Sequence, residues 1–285
     1  MSTAIEWTDE TWNPVVGCSK VSEGCRNCYA IRQAFRNEHM RQPAYVGLTR
    51  KLADNSLNWT GVVRCLPERL TIPLGWRKPR RIFVNSMSDL FHDSVPDAFI
   101  AQVFAVMALA DRHTFQVLTK RPERMAHLLG QDAFVDLVLD AAEPFQALAG
   151  HDEDGAFHWP SWVIEHWPLG NVWLGTSVED QQAADERIPH LLQTPAAVRF
   201  LSCEPLLGSV YLSPDWMMGL DQLICGGESG PKARPMHPSW ARSLRAQCAA
   251  ARVPFFFKQW GGVHPGGDAK LDGREWHEFP EGRLP

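Results

Sequence analysis

No run of this chain reaches the roughly eighteen apolar residues that a membrane span needs. Acidic and polar residues begin at Glu6, so the apolar stretch of a secretory leader is missing too. A cytoplasmic protein without membrane partners is expected. A global excess of basic charge is absent as well: the net charge is −5, which counts against tight non-specific binding to DNA. Cysteines number seven, an odd count, so a disulfide framework is not expected and a reducing compartment is. No internal repeat stands out. What remains is a chain of 285 residues with 45% hydrophobic residues, enough to build the core of one large α/β domain or two small ones.

The most informative feature present is a set of three cysteines near the N-terminus. Cys18, Cys25 and Cys28 follow Trp12-Asn-Pro-Val-Val-Gly17 with spacing Cys-x6-Cys-x2-Cys. An x2 pair presents two sulfurs to one metal centre, and a glycine-bounded loop lets a third fold back onto it. A structural zinc site would close the fourth position with another Cys or His, and His39 is available eleven residues beyond Cys28. An iron–sulfur cluster on three thiolates instead leaves one iron open to a small molecule. The cluster is the leading expectation. Zinc, a redox thiol pair and inert core cysteines are the alternatives; Cys65, Cys225 and Cys248 read as core.

Beyond the loop, short apolar runs alternate with helical patterns. Strands are expected at 81–86, 114–119, 171–176, 198–202, 222–225 and 253–257, and helices at 96–110, 122–129, 179–192 and 239–250. Such alternation implies βαβ units and a parallel sheet. With one more strand near the cysteine loop, a complete or partial (β/α) barrel is the natural closure, and an open doubly wound sheet is the competitor. The barrel domain is expected to span 1–261. It carries an insertion at about 140–170, where His151-Asp-Glu-Asp-Gly155 and Trp159-Pro-Ser-Trp162 break the rhythm, and a polar tail follows at 262–285.

Functional groups of a parallel barrel sit on the loops after its strands. Here those ends are Asn85-Ser-Met-Ser-Asp89, Thr119-Lys-Arg121, Gly175-Thr-Ser-Val-Glu179, Ser202-Cys-Glu-Pro205, Gly226-Gly-Glu-Ser-Gly230 and Lys258-Gln-Trp-Gly261. Their convergence with the tri-cysteine loop predicts a large cofactor and substrate pocket. Asn85, Ser86, Thr176, Ser177, Gly226, Gly227 and Glu228 are the expected cofactor-binding residues. The glycine pair would admit close backbone approach and the glutamate would accept hydrogen bonds. Cys203 and Glu204 are the expected catalytic pair, as hydrogen-atom donor and as base or ligand. Lys120, Lys258 and Trp260 are expected to meet substrate, the indole by stacking. Ordinary strand-end polarity, a core thiol at Cys203 and a barrel plug at Trp260 paired with a Lys258–Glu204 contact are the plainer readings.

Cys25-Arg-Asn-Cys28-Tyr-Ala30, Asn85-Ser-Met-Ser-Asp89 and Val117-Leu-Thr-Lys120 resemble motifs of the radical S-adenosylmethionine enzymes, in particular the spore photoproduct lyase branch. More closely, landmarks from Trp12-Asn-Pro14 to Phe256-Phe-Lys-Gln-Trp-Gly261 are similar to an uncharacterised phage- and prophage-borne family with a three-cysteine motif. Two features depart from the usual radical-enzyme pattern: the first cysteine gap is six rather than three, and Asn27 replaces the aromatic before the last cysteine. The resemblance implies a radical-SAM-like barrel with a [4Fe-4S] cluster on Cys18, Cys25 and Cys28, bound S-adenosyl-L-methionine and an external reductant. It also implies a nucleic-acid base, in DNA or RNA, as substrate for repair or modification. The alternative is a non-catalytic iron–sulfur or zinc protein that binds nucleic acid or a phage- or host-encoded partner.

Overall fold

The computed structural model describes residues 5–148, 163, 165–263 and 269–280. Seven strands form one sheet: β1 (Glu10–Trp12), β2 (Arg81–Val84), β3 (Thr114–Thr119), β4 (Val172–Ser177), β5 (Val198–Cys203), β6 (Gln222–Gly226) and β7 (Phe255–Gln259). Each pairs in parallel with the next in chain order, from β1 at one edge to β7 at the other. A doubly wound sheet would reverse its order at a switch point. This one never does. The sheet curls one way into a half-barrel flanked by helices, and its two edges do not meet.

Parallel strands are buried on both faces, which is why they read as nearly continuous apolar runs. Strand alternation then divides their side chains between two cores. Ile82, Val84, Phe115, Val117, Leu201, Cys203, Leu223 and Cys225 face the helices in the main core. Phe83, Trp173, Val198, Phe200, Ile224 and Phe256 fill the concave side together with Trp7. Gly175 sits on that inner layer because a Cβ there would stand 2.6 Å from the Phe200 ring. A third core forms over the strand ends, where α1 (Tyr29–His39) packs Ile31 and Ala34 on Tyr45, Leu48 and Trp59.

The outer layer holds α2 (Asp97–Leu109), α3 (Pro122–Leu129), α4 (Asp132–Gln146), α5 (Gln181–Gln193), the short α6 (Pro214–Met218) and α7 (Pro238–Ala251). α2 is apolar nearly all round because it is covered by the sheet on one side and α4 on the other. Phe104 of α2 meets Phe134 of α4 edge to face at 5.6 Å. α4 carries the chain about seven residues into the stretch expected to be an insertion. Most of the remainder, with His151, Trp159 and Trp162, lies outside the described residues. In the tail, Phe257 N–H donates to the Trp276 carbonyl (2.7 Å) and His277 bridges Phe256, so the described part of it covers the free edge of β7.

Candidate active site

The chain enters the site at Gly17, just past β1. Its φ of +89° suits a residue without a side chain, and a Cβ there would strike the Val62 carbonyl oxygen at 2.2 Å. The turn brings the next residue, Cys18, over the C-terminal ends of the strands. A 3₁₀ turn at Glu23–Cys25 and the start of α1 after Cys28 then set the other two thiols. All three cysteines line one cavity of about 240 Å³. Strand ends from β2 to β7 contribute Asn85, Lys120, Ser177, Glu204, Glu228 and Lys258 to its wall. Ile5, Trp7, Phe83 and Leu118 add apolar surface to it. Thus the loop with the thiols and the Gly226–Gly230 loop share one site.

Two of the thiols have charged neighbours. Arg121 Nη1 lies 3.9 Å from Cys18 Sγ and 3.1 Å from Asp89 Oδ2. Asp89 also accepts from the Thr119 hydroxyl (2.7 Å) and the backbone N–H groups of Phe91 and Lys120, so this carboxylate is fully occupied in aiming the arginine. Burial, reinforced by Asp89, pushes the Cys18 thiol up to about 12 despite Arg121. Burial raises Cys28 as well, with the charge of Lys120 opposing it. Among the described residues, no three Cys, His, Asp or Glu groups stand close enough together to hold a metal ion. The thiols face a common space and must turn to share one. Their donor chemistry suits a thiophilic centre, with Lys120 and Arg121 placed to offset its negative charge. Binding must displace thiol protons.

Two buried carboxylates fasten the cysteine loop to the barrel. Glu179, 1% exposed, receives Arg187 at 2.8 Å and Lys120 at 3.6 Å, and it accepts from the Ser22 hydroxyl and from Gly24 N–H (3.3 Å). Burial works to raise its pKa, but Lys120, Arg187 and Ser22 outweigh that and hold it below the usual range. Glu228 accepts from Arg234 Nη2 (2.7 Å), Nε (2.9 Å) and backbone N–H (2.9 Å), and from Asn27 Nδ2 (2.9 Å). Burial again acts to raise it, and the hydrogen bonds from Arg234 and Asn27 bring it below its ordinary value. Arg234 Nη2 also donates to the Glu23 carbonyl (2.9 Å). The Gly-Gly-Glu loop therefore clamps the Cys-x2-Cys segment through Asn27, the residue that departs from the aromatic pattern.

Several expected site residues stand elsewhere or act differently. Cys203 is fully buried in the helix-side core, because alternation turns Ser202 and Glu204 to the cavity and Cys203 away from it. Thr176 faces outward for the same reason and donates to the Thr119 carbonyl (2.9 Å), while Ser177 lines the cavity. Gly226 does not line it; a Cβ there would meet Glu204 Oε1 at 2.7 Å. Gly227 does, yet its lack of a side chain serves the neighbouring strand rather than a ligand, since a Cβ would lie 1.9 Å from the Trp260 carbonyl oxygen. Trp260 is not in the cavity wall. Its ring packs edge-on against Phe257 of the helix-side core at 4.9 Å and its Nε1–H donates to the Lys270 carbonyl (2.9 Å). Lys258 reaches the cavity but pairs with Glu204 at 2.9 Å. His39 is exposed on α1 with Nδ1 2.8 Å from the Phe35 carbonyl, and among the described residues no histidine lines the cavity.

Asn85, Ser86, Ser177, Gly227, Glu228, Lys120, Lys258, Glu204 and the three cysteines are thus brought together. Glu179, Asp89, Arg121, Arg234 and Trp7 were not anticipated. Glu179, Asp89 and Arg121 end the polar strand-end runs already noted, so position marked them. Arg234 had no local signal; Trp7 had one in being an aromatic of a loop-like segment, able to stack on a base or to cover a barrel end.

The family model described as "Protein of unknown function (DUF5131)" matches residues 2–280, and the chain belongs to that family. Comparison with curated proteins finds no match, and comparison with solved structures finds none.

Proposed function

We propose that this chain is a radical S-adenosylmethionine-type enzyme. A [4Fe-4S] cluster would be held by Cys18, Cys25 and Cys28, with S-adenosyl-L-methionine and a nucleic-acid base sharing the cavity beside it. One observation carries this reading: three thiols from a single loop and the polar ends of six parallel strands line the same cavity. When bound and reduced, cluster and cofactor supply a hydrogen-abstracting adenosyl radical; the protein supplies binding, orientation and shielding. Arg121, aimed by Asp89, steadies Cys18, and Lys120 adds positive charge beside Cys28. Apolar surface from Ile5, Trp7, Phe83 and Leu118 limits water around a reactive intermediate. The Lys258–Glu204 pair lies in the wall as a polar contact for substrate.

Anaerobic reconstitution tests this directly. A brown protein with about four irons per chain, which releases deoxyadenosine from S-adenosylmethionine on reduction, supports it. A colourless protein with one zinc per chain replaces it with a structural site and a non-catalytic binding role.

A further inference from the structure

Most cations that stand together in the sequence are already paired. In Arg77-Lys-Pro-Arg-Arg81, Arg80 meets Glu10 at 2.6 Å and Arg81 meets Asp9 at 3.2 Å. Lys120, Arg121 and Arg124 are taken by Glu179, Asp89 and Asp97. The unspent positive charge lies in the segment that carries the cysteines and folds over the strand ends. Residues 18–69 hold nine Lys and Arg against four Asp and Glu, a net +5 in a chain whose total is −5, which leaves −10 on the rest. Within this segment Arg32, Arg36 and Lys51 form no ion pair among the described residues.

Helix α1 arranges these groups relative to the cavity. Its buried side carries Ala30, Ile31 and Ala34. At about 3.6 residues per turn, Tyr29, Arg32 and Arg36 fall together on the opposite side. Tyr29 is 47% exposed and lines the cavity, so its ring stands at the mouth, where its hydroxyl donates to the Ser86 carbonyl (2.8 Å). Arg32 follows one turn on and donates from Nη2 to the carbonyl of Ser229, another cavity-lining residue, at 3.1 Å. Arg36 is exposed a further turn on, about 10 Å along the axis from Tyr29. Beside that turn, Lys51 from the hairpin of Thr49–Lys51 and Leu57–Trp59 sets its Nζ over the Phe35 ring, 5.6 Å from the centroid. The one carboxylate of α1, Glu38, is turned to Gly47 N–H (3.0 Å).

We infer that this face of α1, together with Lys51, holds the phosphates of a single-stranded nucleic acid and leads one of its bases over Tyr29 into the cavity. This rests on the reading of the cavity as a base-binding site and names the surface that recognises the rest of the polymer. Cations spaced along a helix meet phosphates without reading sequence, so binding is tolerant of sequence. An aromatic ring at the mouth receives a base that has left its stack. The negative charge of the remaining chain confines the polyanion to this face.

Fluorescence anisotropy on the metal-free protein tests this, with labelled single strands of about twelve nucleotides in DNA and in RNA form. Arg36→Gln and Lys51→Gln should each weaken binding and lower the slope of log K against log salt by about 0.7, the share of one phosphate contact on a single strand. Tyr29→Ala should weaken binding about fivefold or more, whereas Tyr29→Phe keeps the ring and the wild-type affinity. Arg77 and Lys78 are exposed just before β2 begins, at the end of the strands away from the cavity, so Arg77→Gln with Lys78→Gln should change neither affinity nor slope. Should Tyr29→Ala fail to fold, the two exposed cations decide. Undetectable binding by the wild type at low salt, an unchanged slope in both cation variants, or an equal loss in the Arg77 and Lys78 variant overturns the inference. Polyglutamate of equal charge that binds as tightly as the strands also overturns it, in favour of an acidic protein partner. Because no iron is present, failed cluster assembly with intact strand binding removes the enzyme reading alone. A protein that assembles the cluster and cleaves S-adenosylmethionine yet binds no strand keeps that reading and loses this inference.

Discussion

The carbonyl oxygen of Trp260 lies against Gly227 so closely that a Cβ on the glycine would stand 1.9 Å from it. Gly227 is therefore where the chains leaving β6 and β7 remain in close contact beside the cavity, and its backbone N–H donates to the Gln259 carbonyl at 2.9 Å. Gly227→Val should destabilise the whole fold by about 1–3 kcal/mol through overpacking. The check is a chemical-denaturation curve; a variant of wild-type stability that merely loses ligand binding would contradict this.

Trp260→Ala should remove a packing contact rather than a stacking platform. Loss of its packing on Phe257 and its bond to the Lys270 carbonyl predicts destabilisation of about 3 kcal/mol. Single-stranded DNA or RNA binding, measured per folded molecule, should stay the same. A loss of binding without a fall in melting temperature would return the indole to the substrate path.

Arg234→Ala should undock the cysteine loop while the barrel remains folded. The change takes two side-chain bonds from buried Glu228 and one from the Glu23 carbonyl, leaving a carboxylate partly unpaired at a cost of about 1–3 kcal/mol. Amide hydrogen exchange over residues 18–28 should accelerate with little change in β3–β5. Uniform acceleration across the sheet would mean that the clamp belongs to the global fold.

Acid should release the same loop. Glu179 and Glu228 both have folded pKa values lowered from the ordinary 4.5. Their stabilising contribution is complete above that value and is lost as pH falls through the lowered ones. Proteolysis between Gly17 and Tyr29 should set in below about pH 4.5, before global unfolding. Glu179→Gln should weaken the pH dependence. An unchanged acid profile in that variant would rule out Glu179 as a contributor.

Six of the seven cysteines should separate by whether they line the cavity. Cys18→Ala, Cys25→Ala and Cys28→Ala should each abolish stable iron binding after reconstitution. Cys65→Ala, Cys203→Ala and Cys248→Ala should retain it, Cys203→Ala with a stability loss of about 1–2 kcal/mol from its buried site. Retention of iron by all six would refute the ligand assignment.

Periodicity, read by itself, was enough for the parallel strands and for α3, whose bounds at Pro122 and Leu129 follow from proline at the first helical turn and Gly130 beyond the last. Local chemistry also marked the tri-cysteine loop and the polar strand ends. The sequence reading missed α4, although Phe134, Val138 and Ala142 repeat at helical spacing, because the break in rhythm was placed from about 140 onward, inside the helix. Alternation along 198–204 says that Ser202 and Glu204 share one face and Cys203 takes the other. It does not say which face is concave. Only the curl of seven strands in chain order decided that Glu204 meets the cavity and Cys203 the helices. The clamps were equally out of reach: Asn27 and Glu228 lie 201 residues apart, and Ser22 and Glu179 lie 157 apart. A hydrogen bond between such distant groups depends on where the barrel brings their backbones, and no local pattern encodes that position.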